Sequence, residues 1–369
     1  MKRAPFVLCA ILLAALACDL GELAPIPSLD VSPFASSGTA CGFFPSPPEA
    51  SEQSILNHYR MLGSHADVIL LQQPVPWRDF YEEVDADSLA ITDIHNQYLL
   101  ARQNGMEIIF IVDPLNGLNR REFFGLPMGW QASFANPMVR SAITNYTLRI
   151  VREFHPPYLG LASEINTYAD AFPEDFPNYV SLYQSIYDAV KAEAPGTQIF
   201  VTFQWEDLNN VISVVAEGRT AYETNWETVE AFEPRLDVWA ISSYPFVVYK
   251  SAAEIPADYY TPLLARTSKP LAVAEGGYTS RPVGPYPGTP EDQQGYLNAI
   301  HDQIGPRLRF WIYLLLSDFN LESYARMMRD QGQGQDVNSL GMFASVGLTE
   351  FDGTPKPALD LWDTFRKVP

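Results

Sequence analysis

The sequence predicts an α/β protein in which eight parallel strands close into a (β/α)8 TIM barrel. Three observations predict this fold. Eight short, continuously apolar runs recur along the chain, stretches with a helical period separate them, and no further linker or repeat divides residues 38–369. Strands buried on both faces are apolar throughout. Eight of them alternating with helices indicate a parallel sheet that closes on itself.

The candidate strands share a length of six to nine residues and an enrichment in Val, Ile, Leu and Phe. They are TACGFF (39–44), DVILLQQ (67–73), EIIFIVD (107–113), YLGLASE (158–164), QIFVTFQW (198–205), LDVWAISSY (236–244), PLAVAEG (270–276) and LRFWIYLLL (308–316).

The segments between the strands have the period of amphipathic helices. Ile55, Tyr59 and Leu62 fall on one helical face, and Thr289 followed by Pro290 is typical of a helix start. A doubly wound open sheet is the alternative fold. Such a sheet normally has a glycine-rich turn after its first strand, whereas this chain has GFFPSPP there.

The N-terminal residues predict export. Residues 1–17 are interpreted as a signal peptide, because Lys2 and Arg3 precede an apolar run too short to span a bilayer. Small residues directly before Cys18 resemble a bacterial lipoprotein processing site, so we expect Cys18 to carry a lipid anchor. Residues 18–37, rich in Pro, Ser and Ala, are then a tether. An ordinary secretory signal is the alternative, so the protein is either a cell-envelope lipoprotein or secreted.

Charge and cysteine content exclude several classes of partner and site. The formal net charge of −20 disfavours nucleic acid and anionic membrane surfaces as partners. Cys41 is the one cysteine of the predicted domain, residues 38–369, which excludes a disulfide within it and a thiolate metal site. No pair of the five histidines has metal-ligand spacing, and no glycine-rich phosphate loop is present. The sequence therefore predicts no metal and no cofactor.

The predicted functional side chains follow the strands, because TIM-barrel active sites lie at the C-terminal strand ends. They are acids, amides and aromatic residues, with hardly a basic residue among them, which suits a neutral carbohydrate. The candidates for substrate binding are Trp77, Asp113, Ser163, Asn166, Gln204, Trp205 and Trp311. Flat indole faces can stack on sugar rings, although the same tryptophans could fill the core.

Two glutamates are the candidate catalytic residues. Glu164 and Glu275 end the fourth and seventh apolar runs, which lie roughly opposite each other across a barrel mouth. Glycoside hydrolysis uses one carboxyl group to protonate the leaving oxygen and another to attack the anomeric carbon or activate water. Tyr244, ending the sixth strand, can donate a hydrogen bond to the nucleophile. Glu206, by contrast, is interpreted as a salt-bridge partner or helix cap.

This ordered set of residues resembles the clan A glycoside hydrolases. The resemblance includes Glu164, Glu275, Tyr244, a tryptophan in the eighth strand (Trp311), and the C-terminal segment GLTEFDGTPKPALDLW (347–362). It implies a retaining mechanism with Glu164 as acid/base and Glu275 as nucleophile. Retention requires carboxyl groups about 5–5.5 Å apart.

The chain departs from the clan pattern at two positions. Ser163 stands directly before Glu164, where the clan usually has the asparagine that binds the sugar 2-hydroxyl; Asn166 lies two residues beyond the acid. The arginine frequent after the second strand is replaced by glutamines. The sequence therefore predicts a glycosidase of undefined family that acts on a neutral poly- or oligosaccharide. Transglycosylation by the same glutamates and a non-catalytic glycan-binding lipoprotein on a degenerate barrel are the alternatives.

Overall fold

The computed structural model describes residues 38–212, 217, 223–330 and 340–366. The predicted signal peptide, the tether and Cys18 lie outside these residues. Within the described ranges, no helix has both the length and the apolar character needed to cross a membrane.

Nine strand segments form the main sheet, and two short strands form a hairpin beside it. In chain order they are β1 (Ala40–Phe43), β2 (Val68–Pro74), β3 (Glu107–Asp113), the hairpin strands β4 (Leu115–Asn116) and β5 (Asn119–Phe123), β6 (Tyr158–Leu161), β7 (Gln198–Phe200), β8 (Thr202–Gln204), β9 (Trp239–Ser243), β10 (Leu271–Gly276) and β11 (Leu308–Tyr313).

The main sheet closes into a barrel. Its strand order is β7-β6-β3-β2-β1-β11-β10-β9-β8, and all neighbours are parallel. The first and last members of this order, β7 and β8, are halves of one strand that is interrupted at Val201. The sheet therefore closes on itself as a barrel of eight strands, with β7 and β8 counted as one. The predicted TIM barrel is confirmed, and each of the eight predicted strands overlaps one strand of the barrel.

Helices follow the strands around the outside of the barrel. They are α1 (Glu52–His65), α2 (Trp77–Phe80), α3 (Leu89–Gln103), α4 (Pro137–Phe154), α5 (Ile165–Ala171), α6 (Phe176–Glu193), α7 (Trp205–Leu208), α8 (Trp226–Glu230), α9 (Pro262–Arg266), α10 (Pro290–Ile304), α11 (Leu321–Asp330) and α12 (Pro357–Phe365).

Local chemistry explains where these helices begin and which face they bury. The predicted apolar face of α1 is buried at Ile55, Tyr59 and Leu62. Thr289 caps α10, because its side chain accepts a hydrogen bond from the backbone N–H of Asp292. The periodicity and the capping residue thus predicted both features correctly.

A buried ion pair joins the C-terminal segment to the barrel. Lys356 Nζ donates hydrogen bonds to Asp318 Oδ1 (2.7 Å), Ser280 Oγ (2.8 Å) and the carbonyl oxygen of Gly347 (2.8 Å). The side chains of Lys356 and Asp318 are 3% and 1% exposed. Burial raises the pKa of Asp318 to about 6, against the opposing effect of Lys356. The lysine of the GTPKPA turn therefore anchors the chain beyond β11.

Candidate active site

Glu164 lies in a sharp turn between β6 and α5. Its backbone has φ = 52°, a left-handed conformation that is uncommon for a residue with a side chain. The backbone N–H of Glu164 donates to Thr202 Oγ1 (2.7 Å), and Ser163 Oγ lies 3.1 Å from the same hydroxyl. Thr202 on β8 therefore holds the turn, and Ser163, a predicted substrate-binding residue, is bonded inside the protein.

Two donors fix the Glu164 carboxylate. Ser242 Oγ, on β9, donates to Glu164 Oε1 at 2.6 Å, and Arg120 Nε donates to Glu164 Oε2 at 3.1 Å. Glu164 is only 2% exposed. A hydroxyl and a cation thus orient a carboxylate that is almost withdrawn from solvent.

Glu275, on β10, is equally buried and belongs to the same electrostatic cluster. Tyr244 donates its phenolic O–H to Glu275 Oε1 at 2.7 Å. Burial raises the pKa of Glu275 well above its usual value, and the charge of Glu164 adds to this rise, while Arg120 and the Tyr244 hydrogen bond oppose it. The structure thus brings together the two predicted catalytic glutamates and the predicted tyrosine.

Arg120 is a functional candidate that the sequence reasoning missed. It lies on β5 of the hairpin after β3, and its side chain is fully buried. Burial disfavours its charge, but the carboxylates of Asp113, Glu164 and Glu275 together raise the pKa of Arg120. The expectation that the site has hardly any basic residue is therefore wrong, because Arg120 bonds Glu164 directly. Arg120 comes from the hairpin after β3, whereas the arginine typical of the clan follows the second strand.

Asp113, a predicted substrate-binding residue, connects Arg120 to the second strand. Its Oδ2 accepts hydrogen bonds from Arg120 Nη1 and from Gln72 Nε2, the latter at 2.6 Å. Its Oδ1 accepts from the backbone N–H of Leu115 at 3.2 Å. Asp113 is 1% exposed and lies beside the acid pair rather than at an open edge.

The side-chain amides of Asn166 and Gln204, both predicted to bind substrate, form hydrogen bonds within the protein. Asn166 Oδ1 accepts from the backbone N–H of Gln204 (2.8 Å), and Asn166 Nδ2 donates to Asp207 Oδ2 (3.2 Å). The Gln204 side chain caps α7 by accepting from Asp207 N (2.5 Å) and donates to Glu206 Oε2 (2.6 Å). These bonds link α5 to β8 and α7. The structure therefore gives Asn166 and Gln204 a role in holding the rim, and their substrate contacts stay a prediction.

The three predicted tryptophans are buried by other protein groups. Trp77 donates its indole N–H to the carbonyl oxygen of Phe124 (2.7 Å) and supports the hairpin loop. Trp205 is fully buried and stacks on Tyr260. Trp311 packs against two aromatic residues of α12, outside the barrel. The prediction that Trp311 stacks on substrate is therefore wrong, because this side chain points into the layer between sheet and helices.

Glu206 holds the backbone at Tyr244 through hydrogen bonds. It is fully buried and accepts hydrogen bonds from Ser243 Oγ (2.6 Å), Gln204 Nε2 (2.6 Å), Tyr244 N (3.0 Å) and Tyr259 OH (3.2 Å). Burial raises the pKa of Glu206 to about 6, and these hydrogen bonds oppose the rise. Glu206 thus fixes the backbone that carries Tyr244; among the described residues it forms neither the salt bridge nor the helix cap expected from the sequence.

No protein-family model matches the chain, and neither does any curated protein. Several solved structures have a similar fold. The exo-β-1,4-mannosidase Op5Man5 from Opitutaceae bacterium strain TAV5 superposes with a TM-score of 0.63 and 14% identity over 89% of this chain, which spans only 59% of the length of that enzyme. GH5_18 from Bifidobacterium longum subsp. longum gives a TM-score of 0.59 and 14% identity over 89% of this chain and 78% of its own.

A fungal β-1,4-galactanase structure gives a TM-score of 0.52 and 15% identity, over 84% of this chain and 90% of the galactanase. At these identities the likeness establishes the fold. The similar structures are TIM-barrel glycosidases, in agreement with the clan resemblance of the sequence.

Proposed function

We propose that this protein is a retaining glycoside hydrolase, with Glu164 as acid/base and Glu275 as nucleophile. The observation that carries the proposal is the pairing of two buried glutamates within one electrostatic cluster, each with its own donors. Two carboxyl groups in different environments are the requirement of this chemistry. The glycosidase names of the similar structures support the same assignment.

In the proposed reaction, Glu275 attacks the anomeric carbon while Glu164 gives its proton to the leaving oxygen. A covalent glycosyl-enzyme forms, and Glu164 then removes a proton from the water that hydrolyses it. Tyr244 and Arg120 stabilise the ionised form of Glu275. This reaction uses Glu275 as the ionised carboxylate and Glu164 as the protonated acid.

The proposed substrate is a β-linked, neutral hexose glycoside. The similar structures include an exo-β-1,4-mannosidase, a β-glucosidase and a β-1,4-galactanase. The net charge of −20 supports a neutral rather than an anionic glycan. The sugar would be reached outside the cytoplasm, since we also propose export and lipidation at Cys18. Mass spectrometry of the mature N-terminus tests that part separately.

The experiment is a hydrolysis screen of the purified protein on β-mannosides, β-glucosides and β-galactosides, as p-nitrophenyl glycosides and as polysaccharides. Wild type is compared with Glu164→Gln and Glu275→Gln. Glu107→Gln is the matched control, because Glu107 begins β3 at the opposite end of the barrel. We expect the two site variants to lose at least about 10³-fold in kcat/KM and the control to retain activity. A wild type that binds a glycan but cleaves none would instead support a glycan-binding protein.

A further inference from the structure

Two buried polar atoms beside the catalytic pair have no hydrogen-bond partner among the described residues. They are Arg120 Nη2 and Gln72 Oε1. Arg120 is 1% and Gln72 is 5% exposed, so bulk water reaches neither side chain freely. Most buried polar groups in folded proteins are paired, and an unpaired one is costly. These two atoms therefore indicate a polar partner that the described residues do not supply.

The two atoms belong to one cluster. Arg120 Nη1 and Gln72 Nε2 both donate to Asp113 Oδ2, and Arg120 Nε donates to Glu164. A carboxylate only accepts hydrogen bonds, so the Gln72 amide must turn its nitrogen to Asp113. Its oxygen is then the unpaired acceptor, while Arg120 Nη2 is the unpaired donor.

An unpaired donor and an unpaired acceptor, on two side chains that bond the same carboxylate oxygen, select the chemistry of the missing partner. A sugar hydroxyl can both accept and donate, so the hydroxyls of one ring satisfy both atoms. A carboxylate could accept from Arg120, but its second oxygen would face the acceptor oxygens of Gln72 and Asp113. An ammonium group would leave Arg120 unpaired.

We propose that Arg120 and Gln72 form a hydroxyl-binding subsite next to the catalytic glutamates, with Arg120 Nη2 donating to, and Gln72 Oε1 accepting from, hydroxyls of a neutral sugar ring. This inference rests on the proposed glycosidase function. Asp113 is the positioning residue of the subsite, because it holds both partners. The same guanidinium group of Arg120 would bind the sugar hydroxyl through Nη2 and bonds the Glu164 carboxyl group through Nε. Recognition of the sugar and orientation of the acid therefore both depend on Arg120.

The experiment compares the wild type with Gln72→Leu on the p-nitrophenyl β-hexoside that the wild type cleaves best, on its monodeoxy analogues, and on its C6 uronide. We expect one deoxy analogue to lose roughly 10- to 100-fold in wild-type kcat/KM, since a polar site left unpaired rejects the analogue. Gln72→Leu should lose a comparable factor on the parent glycoside. In Gln72→Leu, kcat/KM should differ by less than about 3-fold between the parent glycoside and that deoxy analogue, because the variant has already lost the contact that the missing hydroxyl makes. The uronide should be the poorest substrate.

Gln97→Leu is the matched control. Gln97 Nε2 donates to Asp93 Oδ2 (2.8 Å) and its Oε1 is likewise unpaired, but it lies on α3 outside the barrel. This variant should keep the wild-type penalty for every deoxy analogue. Gln72→Met, which preserves the length of the side chain, replaces Gln72→Leu if the latter does not fold.

Two failures are distinguishable. If the wild type cleaves the glycoside but every deoxy penalty is unchanged in the Gln72 variant, the subsite is refuted, the unpaired atoms are met by water, and the glycosidase proposal stands. Preference for the uronide would also refute it. If the wild type cleaves no β-hexoside and no corresponding oligosaccharide, both proposals fail together.

Discussion

Replacing Lys356 by methionine isolates the contribution of the buried C-terminal ion pair. The substitution removes three hydrogen bonds of 2.7–2.8 Å and leaves the carboxylate of Asp318, 1% exposed, without its main cation. Arg281 remains, but its Nη1 lies 3.4 Å from Asp318 Oδ2 and its side chain is 54% exposed. Breaking a buried pair by removing one partner costs about 3–5 kcal/mol. We expect Lys356→Met to lose that much free energy of unfolding at pH 8.

The stability loss of Lys356→Met should increase with pH, because it comes from the ionised carboxyl group of Asp318. Burial already raises the pKa of Asp318 to about 6, and the lysine opposes this rise. Without Lys356 the pKa of Asp318 should increase further. The folded variant then binds a proton more readily than the unfolded chain, so stability is retained at low pH and lost as pH rises through the folded pKa. At pH 4.5 the penalty relative to the wild type should be much smaller than at pH 8.

Urea unfolding monitored by tryptophan fluorescence at both pH values measures these differences. The double variant Lys356→Met/Asp318→Asn should recover most of the loss at pH 8, because neither charge is then buried alone. Lys269→Met is the control: Lys269 also bonds a carboxylate and backbone carbonyls, but its side chain is 32% exposed, so about 1 kcal/mol or less is expected. An equal loss at both pH values, or no recovery in the double variant, would refute the reasoning.

Three further predictions concern the acid pair. Tyr244→Phe removes the hydrogen bond to Glu275 and should raise the pKa of Glu275 further, so kcat/KM should fall about 10- to 100-fold with its acidic limb at higher pH. Ser242→Ala removes the 2.6 Å bond to Glu164 and should lower kcat by about 10-fold through lost orientation, with unchanged thermal stability as the check on folding. Burial raises the pKa of Glu275, so ionisation of this group at high pH destabilises the folded protein. The melting temperature of Glu275→Gln should therefore be higher than that of the wild type at pH 8 and similar to it at pH 4.5.

The fold was predictable because each barrel strand is buried on both faces. Such strands are continuous apolar runs, and the chain has eight of them with helical segments between. The same property explains the error at Trp311. When both faces of a strand are apolar, the sequence does not distinguish a side chain that points to the mouth from one that packs on α12.

The site was predictable in part. Glu164, Glu275 and Tyr244 follow strands, and the barrel brings strand ends together wherever they occur in the chain. Arg120 depends on a hairpin in the loop after β3, where alternation buries Arg120 and exposes Arg121; nothing in two adjacent arginines indicates which one points inward. The amide of Asn166 is committed to groups about 40 residues away, and such partners become visible only once the strands are placed.

The most direct test of the proposed mechanism is covalent trapping with an activated 2-deoxy-2-fluoro β-hexoside, followed by peptide mass spectrometry. A retaining enzyme accumulates the glycosyl-enzyme because the fluorine slows its hydrolysis. We expect one sugar per chain, attached to the peptide that contains Glu275, and faster loss of activity with the sugar that is cleaved best. A label on the Glu164 peptide would reverse the roles of the two glutamates, and hydrolysis without any label would contradict the double-displacement mechanism.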